Sequence, residues 1–182
     1  MPDEVNFSYR YLDTDADRRS LVAAIQRVRR QVLELAGRVP RDRWYEPRYH
    51  GWSLAAMLGH LQLMDSLSLA LLKMALVGFR PPVPAALLDG LNNVMASVYR
   101  RRLVETTVKG IQKQERAIAQ FIMELPIERY TVQVYYPSAN RYLTIEQAVQ
   151  ALFLLHWESH YQTMAQAEGI YYEPPPGRDM VV

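Results

Sequence analysis

No cysteine occurs among the 182 residues of this chain. That excludes disulfides, thiolate-bound zinc and a cysteine nucleophile. Charge of one sign is also lacking: the formal net charge is +2, which argues neither for nor against nucleic acid. The only basic run is Arg100-Arg101-Arg102. With no aromatics interleaved it reads as a solvated helix face, and no nucleic-acid partner is expected. Long apolar runs are missing too. The longest, Leu67 to Phe79, contains Lys73 and is too short to span a bilayer. The first residues, Met-Pro-Asp-Glu-Val-Asn-Phe, lack the basic start and apolar stretch of a secretory signal. A cytoplasmic protein with no membrane partner is expected. Histidine is scarce, with four in the chain, so the position of each one carries weight.

What is present reads as one helical domain. Hydrophobic residues make up 49% and charged residues 22%, the balance of a globular chain long enough for a substantial core. We expect a single domain over 1–182, with its core at about 17–169 and a proline-rich tail over 170–182. A first helix is predicted from about Asp17 to Gly37, capped by Thr14 or Asp15. Its stripe is Leu21, Ile25, Val28, Val32 and Leu35, with no polar interruption. A second begins after the N-cap Ser53 and runs to about Val77, with Leu54, Met57, Leu61, Met64, Ser68, Leu71 and Ala75 on one face. The third covers roughly Leu91 to Leu125, where Pro126 stops it, and its early part reads as a separate turn. The fourth starts at Thr144, which forms a capping-box pattern with Gln147, and ends at Gly169. Between them Thr131–Tyr136 suits a short extended piece. Four amphipathic helices predict an all-α four-helix bundle, and bundles build metal sites in their cores from facing helices.

Polar residues that interrupt apolar faces mark candidate sites. His156 and His160 share a face with Val149, Leu152 and Phe153. Four apart on a helix, their Cβ atoms stand about 5–6 Å from each other, so both imidazoles can grip one divalent cation. His60 borders the core face of the second helix. Three neutral imidazoles with an open position are what a catalytic zinc site needs; nickel and iron accept the same donors. Taken alone, a helical histidine pair is often coincidence, and a lone His60 suits a hydrogen-bonded core position better than a ligand. Glu115 is the charged member of the series Val104, Val108, Ile111, Glu115, Ile118, Ile122 and Leu125. A lone buried carboxylate is costly, so Glu115 either reaches the rim, pairs with an arginine, or orients a ligand imidazole. Glu158 is expected in solvent, His50 on the surface, and Trp52 as a packing plug at the start of the second helix.

Trp52-Ser53 and His60-Leu61 on the second helix, with His156 and His160 on the fourth, resemble the DinB/YfiT-like family over about residues 17 to 169. The resemblance implies an up-down-down-up bundle with long loops between helices 2 and 3 and helices 3 and 4. It implies a divalent metal, zinc first, on His60, His156 and His160. It further implies transfer of a low-molecular-weight thiol, of the mycothiol, bacillithiol or glutathione kind, to an electrophilic small molecule. Thiol transferases and mycothiol-dependent maleylpyruvate isomerases belong to this wider group. With no cysteine in the chain, any thiol must arrive as a cosubstrate. A metal-dependent hydrolase, and a non-catalytic metal- or ligand-binding dimeric bundle, are the alternatives. The chain departs from a minimal member in its 78–89 loop, its tyrosine-rich 129–142 segment and its tail. Tyr135, Tyr136 and Tyr142 are candidates to line a pocket, and a homodimer is expected.

Overall fold

The structure is a computed structural model and describes residues 9–83, 90, 94, 97–99 and 102–170. The proline-rich tail from residue 171, and Arg100 and Arg101 of the basic run, lie outside the described residues. Helix α1 spans Asp15–Arg38, and Thr14 and Asp17 close a capping box at its start. Its buried face holds the five expected stripe residues and adds Arg29 and Ala36. A tight turn then precedes the second helix: Tyr49 and Trp52 exchange backbone hydrogen bonds at 2.9 Å in both directions. His50 and Gly51 occupy its centre with φ of 49° and 85°, the left-handed backbone that such two-residue turns require.

Helix α2 spans Leu54–Leu76 and starts where Ser53 Oγ accepts the Ala56 N–H at 3.2 Å. Leu54 through Leu61 are all buried, so this end of α2 is surrounded rather than amphipathic. By length and composition α2 could cross a membrane, but 61% of its most apolar window is buried against the rest of the chain, as in a core helix. Further along, the buried face departs from the predicted stripe. Asp65 and Leu72 are buried where Met64 and Leu71 were expected, and those two are only half-buried. The cause is a charge hidden in the core, which a count of apolar letters misses.

Helix α3 spans Val104–Glu124, later than the predicted start. Ser97–Tyr99 are helical, but Leu103 is extended at φ −64° and ψ 122° and breaks the run. The predicted start at Leu91 lies outside the described residues. Leu125 ends α3 before Pro126, and Arg18 donates to its carbonyl at 3.1 Å. The expected extended piece is strand β1, Gln133–Tyr136, paired antiparallel with β2, Arg141–Thr144. The fourth helix follows as α4, Ile145–Gln150, a π turn over Ala151–Leu155, and α5, His156–Ala167. Thr144 and Gln147 form the predicted capping box.

Side-chain pairings give the helix directions. Gln62 crosses Gly110, where a Cβ would lie within 1.8 Å of its amide nitrogen, and Gln114 donates to Ser66 at 2.7 Å. Both contacts advance together along the chain, so α2 and α3 run parallel. Arg18 meets the end of α3 while Arg29 lies in the field of Glu115 nearer its middle, so α1 and α3 are antiparallel. Leu12 N–H bonds Glu146 at 2.7 Å and Arg29 bonds the Phe153 carbonyl at 2.9 Å, so the fourth helix runs parallel to α1. The result is the up-down-down-up bundle. Val32, Leu58, Leu61, Leu72, Ile111, Ile118, Phe153 and Trp157 are fully buried at its centre.

Candidate metal centre

His60 lies in the surrounded first half of α2 and is only 7% exposed. The residue before it, Gly59, faces the ring of Tyr99 so closely that a Cβ would sit 2.4 Å from the ring carbon. Trp52 meets the His60 imidazole edge-on, with centroids 5.1 Å apart. It therefore walls the site as well as packing the helix start. On the fourth helix, the His156 N–H bonds back five residues to the Ala151 carbonyl, closing the π turn. Single π turns inside α-helices recur at functional sites. His160 follows one regular turn later.

The three imidazoles converge. His156 Nε2 lies 3.2 Å from His60 Nε2 and 3.1 Å from His160 Nε2. Their ligand atoms all fall within 4.8 Å of one another, and the rings meet edge-on at 67°, 72° and 87°. Nitrogens about 2.0–2.1 Å from a tetrahedral zinc stand roughly 3.3–3.4 Å apart, so the two short separations nearly match the edges of such a site. Burial, then His160, His60 and Arg29, hold the His156 imidazole well below its usual range. Burial, then His60, lowers His160 from 6.5 to about 3. These two rings are therefore neutral at physiological pH, the state that coordinates a metal. A shared cation would take lone pairs from all three, and the donor set fits one.

Beside the triad runs a polar network that the periodicity of the sequence does not reveal. Arg29 and Asp65 are wholly buried, each side chain at 0% exposure. Arg29 Nη2 donates to both Asp65 oxygens at 2.9 Å, and Nη1 donates to the Phe153 carbonyl at 2.9 Å. Trp157 Nε1 donates to Asp65 Oδ1 at 3.0 Å, and the Arg29 guanidinium stacks 4.3 Å from the centre of the Trp157 rings. Burial pushes the Asp65 carboxyl up, while Arg29 and the Trp157 N–H pull it back. Contrary to the unbroken stripe expected on the first helix, Arg29 sits within it, four residues after Ile25 and three before Val32. That spacing was the available signal, along with Asp65 four after Leu61.

Glu115 is half-buried and is not part of the histidine cluster. Burial pushes its carboxyl up against the pull of Arg29, Arg30 and Arg116. Glu158, expected in solvent, is buried at 7% exposure. The reason is that α5 also buries Trp157, Met164 and Ala165, a face wide enough to take in position 158 as well. His50 is exposed in its turn, as expected. Tyr135 and Tyr142 pair edge-on across the hairpin, 5.3 Å between centroids. Tyr142 also donates to the Arg80 carbonyl at 3.2 Å, tying the hairpin to the segment after α2. A cavity of about 240 Å³ lined by Tyr11, Asp13, Tyr130, Thr131, Thr144 and Glu146 includes none of the three histidines.

No family model matches the chain, and no curated protein matches its sequence. Among solved structures it is similar to YfiT from Bacillus subtilis, with a TM-score of 0.70 over 91% of this chain and 95% of that chain. Sequence identity is 13%. That protein is described as "a probable metal-dependent hydrolase with an unusual four-helix bundle topology". At this identity the likeness is one of fold: the chain described here is a YfiT-like four-helix bundle.

Proposed function

We propose that this chain is a metal-dependent enzyme in which His60, His156 and His160 hold one divalent cation, zinc first, and that its reaction is hydrolysis of a small molecule. The observation that carries it is the meeting of three ring nitrogens from two helices, at 3.1 and 3.2 Å. Held by His60, His156 and His160, a divalent cation would lower the pKa of a bound water or deprotonate a thiol. Around it the chain's own groups hold and screen. Trp52 covers one side of His60, and burial keeps His156 and His160 unprotonated. The likeness in fold to YfiT, itself described as a probable metal-dependent hydrolase, supports water over thiol as the activated nucleophile. Thiol transfer would use the same cation, and with no cysteine in the chain its thiol must be supplied from outside.

Elemental analysis of untagged wild type beside His60→Ala and His156→Ala tests the centre. One equivalent of metal in wild type, lost from both variants, is expected. No metal in wild type after incubation with zinc would remove the site. The loaded protein is then given activated esters, amides and phosphoesters, with and without glutathione, mycothiol or bacillithiol. Turnover without thiol supports hydrolysis, and turnover of electrophiles only with thiol reassigns the reaction to transfer.

A further inference from the structure

Arg29 and Asp65 put a hydrogen-bonded ion pair, each side chain at 0% exposure, into the core. Stability alone does not account for them, since a buried ion pair is often no better than well-packed apolar residues of similar volume. Where their hydrogen bonds land is more informative. Arg29, on α1, reaches the Phe153 carbonyl inside the π turn and stacks on Trp157. Asp65, on α2, accepts the Trp157 indole N–H. These anchors fall three residues before His156 and one residue after it, and the His156 amide itself closes the π turn. Asp65 lies on the same helix as His60, five residues on. The pair therefore ties the helix that carries one imidazole to the stretch of helix that carries the other two. Rotation of the fourth helix about its axis would have to break a bond at Phe153 or at Trp157.

Resting on the assignment of the three histidines as metal ligands, we propose that Arg29, Asp65 and Trp157 are the positioning residues of the metal centre. They hold α2 and the fourth helix at the rotation and separation that bring the three Nε2 atoms together. What they set is the geometry and affinity of the cation site. A purely structural network would protect the fold and leave that geometry to the histidines.

The test uses the full chain and Co²⁺ alone as probe, because the visible absorption of Co²⁺ reports coordination geometry. Two variants are titrated beside wild type, with thermal unfolding recorded on the same samples. Trp157→Phe removes the indole N–H and keeps an aromatic ring. The double variant Arg29→Met with Asp65→Leu replaces the pair by apolar side chains of similar size. Both are expected to bind Co²⁺ about 10- to 100-fold more weakly, the loss typical when a partner that orients a metal ligand is removed. Their Co²⁺ spectra should be altered while the helical circular dichroism stays that of wild type. Wild-type affinity and spectrum in a folded variant would overturn the proposal. Should the double variant fail to fold, Trp157→Phe decides alone. Failure of the underlying assignment looks different: wild type then shows no Co²⁺ site, or His60→Ala binds as well as wild type, and both ideas fall together.

Discussion

Burial decides how the candidate site answers to acid. His160 is lowered from 6.5 to about 3, and His156 well below 6.5, chiefly because both rings are taken out of water. Between those values and 6.5 the unfolded chain binds protons that the native chain refuses. Stability from this source is therefore complete above about pH 6.5 and is lost as pH falls toward about 3. In the metal-free protein, the urea midpoint should hold steady from pH 8 to 7 and then fall below pH 6.5. His160→Gln, which cannot titrate, should flatten part of that fall. A wild-type midpoint with no dependence on pH between 6.5 and 4, or a variant that keeps the whole slope, would refute the account. At the same scale Arg29 shows where reading single residues stops. Its burial depends on Asp65, which is 36 positions away on another helix, and no local pattern announces that partner.

Elements were legible where their causes are local. The Thr14–Asp17 and Thr144–Gln147 capping boxes and the Ser53 cap each lie within a few residues of the helix they start, so the sequence spells them out. The histidine pair was legible for the same reason, being one helical turn apart. The π turn was not. It joins the Arg29 guanidinium at the Phe153 carbonyl, a contact made only once α1 and the fourth helix have met. The break at Leu103 separates the helical Ser97–Tyr99 from α3, in keeping with the early part of the predicted third helix reading as a separate turn; the heptad-like series starts just after it, at Val104. Close packing of elements also explains Gly59. Alanine there would gain about 0.5–1 kcal/mol of helix propensity, but its Cβ would fall 2.4 Å from the Tyr99 ring, which is itself buried at 5% exposure. Overpacking of that kind costs about 1–3 kcal/mol, so the clash wins. Gly59→Ala should lower the urea midpoint, and Gly59→Ala with Tyr99→Leu should recover part of the loss. A single variant more stable than wild type would mean that α2 and the helical turn at Tyr99 are not in contact.

On the scale of the whole molecule, the fold and the candidate site draw on different resources. Val32, Leu58, Leu61, Leu72, Ile111, Ile118 and Phe153 come from all four helices and are wholly buried, so the bundle has a core that owes nothing to a cation. The fold is shared with YfiT at 13% identity, as expected when packing pattern rather than particular residues sets the architecture. The three histidines join only α2 and the fourth helix. Removing a metal should therefore loosen one seam and leave the bundle folded, unlike small zinc modules that unfold without their ion. Mass action sets the size of the effect. Zinc at about 100 times its dissociation constant adds about 2.7 kcal/mol, and for a chain of this length each kcal/mol is worth about 2–4 °C, so Tm should rise by roughly 5–11 °C. The helical circular dichroism below Tm should be the same with and without zinc. EDTA should reverse the rise, His60→Ala should show none, and His50→Ala, altered in an exposed turn, should keep all of it. A rise of equal size in His60→Ala would place the zinc elsewhere on the chain and dissociate the converging imidazoles from metal binding.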